Sequence, residues 1–188
     1  MKASESLAQK RIRGREIMRR LREEFPELSC PLIHETPFQL LVATILSAQC
    51  TDERVNMVTP ELFRNAPDAS AMVKLGEKKI QNLIKSINFF RNKAHNIYEM
   101  SRIVHTRYDG MPPKTMEELI ELPGVGRKTA NVLLGNAFDK PGVVVDTHAK
   151  RLANRMGFCR EEDPVKIESE LEKVFPDENW LDLSHLLI

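Results

Sequence analysis

The sequence predicts an all-α fold, and three observations support that class. Apolar residues recur at helical spacing along most of the chain. Residues that favour helix N-termini precede several of these runs, for example Thr36-Pro37 and Asp163-Pro164. The one strand-like run, Val143-Val144-Val145, has too few residues to make a sheet. We therefore expect helices joined by short turns.

The first half of the chain contains the most apolar predicted helix. Thr36-Pro37 opens it, and residues 38–46 are apolar on nearly every face, so we expect this helix to be central. Asp52 is expected to cap the next helix, in which Thr59-Pro60 predicts a kink or a restart. A break follows at Leu75-Gly76.

The remaining predicted helices follow this break. Ile80, Leu83, Ile84 and Ile87 indicate one amphipathic helix, and a second runs from Ala94 to about Gly110. Four further helices are expected. Thr115 caps a short one that ends at Ile120, and the others run over Thr129–Phe138, over Thr147–Met156, and from Asp163-Pro164 to Val174.

Composition limits the class of protein. The chain has 188 residues, of which 41% are hydrophobic and 29% charged, as in soluble globular proteins. No apolar run approaches the roughly 18 residues of a membrane span, and the polar N-terminus contains no export signal, so we expect a cytoplasmic protein without membrane contact. Its cysteines fit neither a disulfide framework nor a metal clip: Cys30, Cys50 and Cys159.

Charge is distributed unevenly although the formal net charge is +1. Residues 1–22 carry eight cations and two acids, and residues 74–93 carry six cations and one acid. Residues 160–188 reverse the sign, with three cations and nine acids. The two basic segments could follow a phosphate backbone, whereas solvated helix faces are the more common use of such runs.

A short segment between two predicted helices, Leu122–Ala130, is the most informative motif. Gly124 and Gly126 permit backbone angles that a β-carbon would oppose, and they expose successive N–H groups at a helix N-terminus. Such a nest of amides binds anions, including DNA phosphates. Without further information, a tight turn with a C-cap glycine is the commoner interpretation.

The chain resembles the endonuclease III family, whose members are helix-hairpin-helix DNA glycosylases with lyase activity. The resemblance extends over about residues 25–185. It is carried by Leu122–Ala130, Val145–His148, Arg151 and Asn154-Arg155, and upstream by Pro37–Leu41, Leu46–Asp52 and Arg91–Ala94.

This resemblance implies excision of oxidised or ring-damaged pyrimidines from damaged double-stranded DNA, followed by β-elimination at the abasic site. It implies two lobes, a helical barrel over 30–140 and a second helical lobe from 1–29 and 141–188, with the substrate in the cleft between them. We expect a monomer, associated with the nucleoid if the source is bacterial. Two alternatives stay open: a monofunctional glycosylase of the same superfamily, and a noncatalytic helix-hairpin-helix module that only binds DNA.

Two residues are the catalytic candidates. Lys128 would attack the sugar C1′ as a neutral amine, and the adjacent helix N-terminus and Arg127 disfavour its charged form. Asp146 precedes a predicted helix as its N-cap, where an ionised carboxylate could stabilise positive charge on the sugar. Taken singly, Lys128 is more commonly a solvated lysine and Asp146 a plain helix cap. Because both residues occur together in the family motif, the motif favours the catalytic interpretation.

The resemblance also assigns DNA-binding residues. Gly124, Val125, Gly126 and Arg127 form the hairpin. Gln49 matches a residue that enters the space left by a flipped nucleotide. Phe89 matches an apolar wedge, although it could instead pack in the core beside Phe90. The family usually has glycine before this wedge; here it is Asn88, which tolerates a left-handed backbone.

The remaining assignments concern the pocket and the cofactor. Ser47 and Asp52 correspond to pocket residues, and His148 is expected to orient the Asp146 loop without binding a metal. Family members usually continue into cysteines spaced C-x6-C-x2-C-x5-C that hold a [4Fe–4S] cluster. This chain lacks them and ends in the apolar run Leu183–Ile188, which indicates a truncated protein or a natural clusterless form. We expect no cofactor here, and a cluster only in a longer parent.

Overall fold

A computed structural model of the chain describes residues 5–140, 142–176 and 180–187, and all regular elements in these ranges are helices. The prediction of an all-α fold is confirmed, and the run 143–145 forms neither a strand nor a helix. The helices are α1 (Leu7–Glu24), α2 (Pro37–Ser47), α3 (Asp52–Asn65), α4 (Ala69–Leu75), α5 (Glu77–Leu83), α6 (Phe90–Arg107), α7 (Met116–Ile120), α8 (Arg127–Phe138), α9 (Thr147–Arg155), α10 (Pro164–Val174) and α11 (Trp180–Leu186).

The chain divides into two compact units. The hairpin unit, residues 31–139, contains α2 to α8. The terminal unit, residues 1–30 and 140–188, contains α1 and α9 to α11. No helix in the described part of the chain is long and apolar enough to cross a membrane.

Helix α2 is the centre of the hairpin unit, as predicted. Thr36 caps it by accepting a hydrogen bond from the Gln39 amide at 3.2 Å, and Pro37 occupies its first turn. Every residue from Phe38 to Leu46 is buried. The helix packs against α3, α6 and α8, so it can be apolar on all faces.

Several predicted helix boundaries in this unit differ from those of the structure. The N-cap of α3 is Thr51, whose hydroxyl accepts from the Arg54 amide, so Asp52 becomes the first helical residue. Helix α3 then continues through Pro60 without restarting. Helix α5 ends at Leu83, and Ile84 and Ile87 are buried from the turn that follows rather than from the helix.

The terminal unit has its own core. The rings of Phe158 and Phe175 meet edge to face with centroids 5.1 Å apart, and the Arg13 guanidinium lies 4.4 Å from the Phe158 centroid. The segment before α9 is anchored by Ser184, whose hydroxyl accepts a hydrogen bond from the Val144 amide at 2.9 Å. The first four residues of the apolar run that begins at Leu183 belong to α11, while Ile188 lies outside the described residues.

Candidate functional site

The helix-hairpin-helix segment consists of α7, a glycine turn and α8. Gly124 has a φ of 79°, and a β-carbon there would lie 2.9 Å from the β-carbon of Asn96. Glycine is therefore required at this position. Gly126 has an ordinary φ of −94° and caps α8, which begins two residues earlier than predicted. A β-carbon at Gly126 would meet nothing within 4 Å, so this glycine leaves open space in front of the helix.

Val125 lies in the middle of the glycine turn. Its side chain is buried, and its amide donates a hydrogen bond to the carbonyl of Leu122 at 3.1 Å. The Val125 amide therefore closes the turn, and the assignment of Val125 to DNA binding stays a prediction. Gly124 and Gly126 are both exposed, and no hydrogen bond among the described residues uses their amides. These two N–H groups can therefore donate to a bound anion.

Lys128 lies in the first turn of α8 and is exposed. Its charge acts on Asp52, which is half-buried at the start of α3. Burial raises the pKa of the Asp52 carboxyl, and the positive charge of Lys128 opposes that rise. Ser47, also half-buried, ends α2 and donates its hydroxyl proton to the Thr44 carbonyl at 3.0 Å. The hairpin unit thus brings the predicted lysine close to one predicted pocket carboxylate.

Asp146 is the N-cap of α9, as predicted. Its Oδ1 accepts hydrogen bonds from the amides of His148 and Ala149, both at 2.8 Å, and these bonds fix the carboxylate. The His148 imidazole is exposed and its Nδ1 lies 3.2 Å from a guanidinium nitrogen of Arg151. Because a guanidinium can only donate, this ring nitrogen is the acceptor. His148 therefore orients Asp146 through its backbone amide, while its side chain contacts Arg151.

Gln49 and Phe89 share an uncommon backbone conformation. Both have a left-handed φ, 54° at Gln49 and 57° at Phe89, and both are exposed. The side chain of Phe89 is 63% exposed, which excludes the alternative that it packs in the core. Asn88 does not adopt the left-handed conformation expected of it. Its side-chain amide instead donates a hydrogen bond to the Gln49 carbonyl at 2.8 Å.

Lys93 is a buried residue beneath the loop that carries Gln49, and the sequence did not lead us to expect it there. The charge pattern counts it with the basic segment 74–93, yet it is only 6% exposed. Its ammonium donates to the carbonyls of Leu46 at 2.8 Å and Ala48 at 2.5 Å, and burial lowers the pKa of Lys93. A signal did exist, because Lys93 lies four residues before the buried Ile97 on the inner face of α6.

The basic segment 1–22 is largely occupied by contacts within the protein. Arg19 and Arg20 bind the Glu16 carboxylate, and their guanidinium groups lower the pKa of Glu16 to about 2. Lys2 lies outside the described residues. Four further cations make internal contacts: Lys10 with the Phe158 carbonyl, Arg11 with the Lys173 carbonyl, Arg13 with Glu5 and Arg22 with Asp182.

The cysteines of this chain do not fit an iron–sulfur cluster of the family type. A [4Fe–4S] cluster is held by four thiolates, and this sequence has three cysteines. Cys30 and Cys50 are half-buried and belong to different units, while Cys159 is buried. Among the described residues, no group of histidine, cysteine and acidic side chains could hold a metal ion.

Comparisons with known proteins agree on one family. Residues 42–177 match the HhH-GPD superfamily base excision DNA repair protein. The chain is 51% identical to the endonuclease III of Synechocystis, over 95% of this chain and 82% of that protein, and 44% identical to the endonuclease III of Bacillus subtilis, over 87% and 75%. A trapped endonuclease III–DNA covalent intermediate has a similar structure, with a TM-score of 0.89, 39% identity, and coverage of 95% of this chain and 84% of that one.

Proposed function

This chain belongs to the endonuclease III family, and we propose that it removes oxidised pyrimidines from duplex DNA as a glycosylase and cleaves the abasic product as a lyase. The observation that carries the proposal is the position of Lys128. It is exposed in the first turn of the helix that the glycine hairpin begins. An amine there is close to any phosphate that the hairpin amides bind, and therefore to the adjoining sugar.

In the reaction, the neutral amine of Lys128 forms a bond to the sugar C1′. The damaged base leaves with the electron pair of the glycosidic bond and takes up a proton. Loss of an amine proton and opening of the sugar ring give an imine between Lys128 and the sugar. Removal of a proton from C2′ then breaks the C3′–O bond, and water hydrolyses the imine to return the free lysine.

Asp146 has an electrostatic role in this scheme. Positive charge develops on the sugar as the glycosidic bond breaks, and a carboxylate aimed at that charge lowers the barrier. Two backbone amides hold the Asp146 carboxylate in one orientation, so little reorganisation is needed during the reaction. Lys128 and Asp146 belong to different units. The mechanism therefore requires that both side chains reach the same nucleotide of the bound DNA.

DNA binding is assigned to the hairpin and to two exposed side chains. We assign phosphate contacts to the amides of Gly124 and Gly126 and to Arg127. Val125, whose side chain is buried, is assigned to the same hairpin contact with DNA. Gln49 is assigned to the space that the flipped nucleotide leaves in the duplex, and Phe89 to the base stack nearby, into which its ring would wedge. Ser47, Asp52 and His148 are assigned to the surroundings of that nucleotide.

We propose that the chain acts as a monomer on chromosomal DNA, which in a bacterium is the nucleoid. We also propose that a [4Fe–4S] cluster is bound only by a longer form that carries the family's four cysteines. No step above depends on that cluster.

Borohydride trapping tests the function. Duplex oligonucleotides containing thymine glycol, uracil or an abasic site are incubated with the chain with and without borohydride. The proposal expects a covalent adduct and strand nicking with thymine glycol and with the abasic site, because borohydride reduces the imine. A monofunctional glycosylase would release a base without forming an adduct. A DNA-binding module would shift the duplex on a gel and do neither.

A further inference from the structure

We propose that Asn88 is a positioning residue that holds the two DNA-inserting residues, Gln49 and Phe89, at a fixed separation. The inference rests on the proposed function, because it concerns how that function's duplex contacts are arranged. The two residues lie 40 positions apart in the sequence, in separate turns. We call residues 47–51 the Gln49 loop and residues 84–89 the Phe89 turn.

The Phe89 turn and the start of α6 hold the Gln49 loop through its backbone. The Asn88 side-chain amide donates to the Gln49 carbonyl at 2.8 Å. One helical turn further on, the Lys93 ammonium donates to the carbonyls of Leu46 and Ala48. Carbonyls from residues 46–49 thus accept from one short segment of chain. Asn88 makes the outermost of these contacts, directly beside Phe89.

The conformation of the two inserting residues explains why such a contact is needed. A left-handed φ is unfavourable for a residue with a β-carbon, and more so for one as bulky as phenylalanine. Strained residues of this kind persist only where their surroundings hold them. Phe89 begins α6 as its N-cap without any side-chain capping bond. The hydrogen bond from Asn88 is therefore a local restraint on both strained positions.

Exposure separates this role from a role in folding. Asn88, Gln49 and Phe89 are all exposed, so the hydrogen bond between the two turns closes no part of the core. A solvent-exposed hydrogen bond of this kind contributes little to global stability. Its effect is to reduce the conformational freedom that the two residues must lose when they enter DNA. Buried Lys93, by contrast, stabilises the end of α2.

The test compares Asn88→Ala with Asn82→Ala, which removes another exposed asparagine amide, from α5. Two activities are measured. Excision of thymine glycol from duplex DNA requires insertion of both residues, whereas borohydride trapping on a single-stranded abasic oligonucleotide does not. Hydrogen exchange of the peptide covering the Gln49 loop, whose Cys50 amide donates to the Ser47 carbonyl, is followed in the protein without DNA.

We expect Asn88→Ala to slow duplex excision by at least about tenfold, to accelerate exchange in the Gln49 loop, and to leave single-strand trapping and the melting temperature unchanged. Asn82→Ala should match the parent in every measurement. Equal losses on duplex and single strand, or unchanged exchange in the loop, would overturn the inference. A parent chain that is inactive on all substrates would refute the proposed function instead, and the two failures are therefore distinguishable.

Discussion

Lys128 and Asp146 owe their placement to the ends of two helices. Lys128 lies in the first turn of α8, behind the glycine cap, and Asp146 caps α9. Capping and turn chemistry are local in sequence, which is why both positions could be predicted. The hydrogen bond from the Val125 amide to the Leu122 carbonyl could not be predicted, because whether this amide points to solvent or closes the turn depends on how the Val125 side chain packs.

The role of Asp146 is tested by Asp146→Asn. Asparagine caps a helix about as well as aspartate, so the circular dichroism spectrum and melting temperature should match the parent. It carries no charge, so the glycosylase rate on thymine glycol should fall by about 100-fold or more. Cleavage of a preformed abasic site should suffer less, because no glycosidic bond remains to be broken. An unchanged glycosylase rate would leave Asp146 as a helix cap only.

Asp52 should make stability depend on pH. Burial raises its pKa in the folded chain above the unfolded value, so ionisation is less favourable when folded, and stability falls as pH rises through the unfolded pKa and then the folded pKa. Asp52→Asn removes this effect and should raise the melting temperature at pH 7. The gain should shrink below about pH 4, where the parent carboxyl is protonated in both states. A destabilised Asp52→Asn at pH 7 would contradict this account.

At the scale of elements, most helices of the hairpin unit were predicted, whereas α1 and α4 were not, and helix ends were less predictable than helix centres. Helix α2 is buried all round because its sequence is apolar all round. The end of α5 was missed because Ile84 and Ile87 continue a helical spacing while lying in a turn, where tertiary burial replaces helical periodicity. Lys93 was missed because the carbonyls that receive its ammonium come from α2 and the loop behind it, 45 and 47 residues away.

Lys93→Met tests the contact between α6 and the end of α2. Methionine keeps the length of the side chain but leaves the Leu46 and Ala48 carbonyls without their donor, so we expect a loss of about 2–4 kcal/mol in the free energy of unfolding. Lys85→Met, at an exposed lysine, should change it by less than about 0.5 kcal/mol. Urea titration at pH 7 measures both. Equal stability of the two variants would remove the structural role of Lys93.

At the scale of the whole molecule, the family and its fold were predictable, and the use of the charges was not. The hairpin motif and the all-helical pattern extend over most of the chain, and the comparisons confirm the family. The cationic segment at the N-terminus suggested phosphate binding, whereas most of its described cations pair within the protein. Ion pairs between distant residues, such as Arg22 with Asp182, leave no local signal.

The salt dependence of binding to undamaged duplex should therefore come more from phosphate contacts of the hairpin than from the cations of α1. The dissociation constant should rise at least about tenfold between 50 and 200 mM salt, because phosphate contacts release counterions. Arg127→Gln should lower the salt slope by about one, as expected for one lost phosphate contact. Arg20→Gln, which removes a guanidinium bound to Glu16, should leave it unchanged. Fluorescence anisotropy measures the slopes, and equal slopes for parent and Arg127→Gln would exclude that phosphate contact.

Borohydride trapping of the Lys128→Gln variant tests whether Lys128 is the residue that forms the covalent bond to DNA. Glutamine keeps a polar side chain but lacks a primary amine, so the trapped adduct and strand nicking should both disappear while DNA binding is largely kept. Arg127→Gln removes the neighbouring charge and should still give the adduct. With a parent that traps DNA, loss of the adduct in Lys128→Gln alone is the predicted result. An adduct that persists in Lys128→Gln would mean that another amine is the nucleophile.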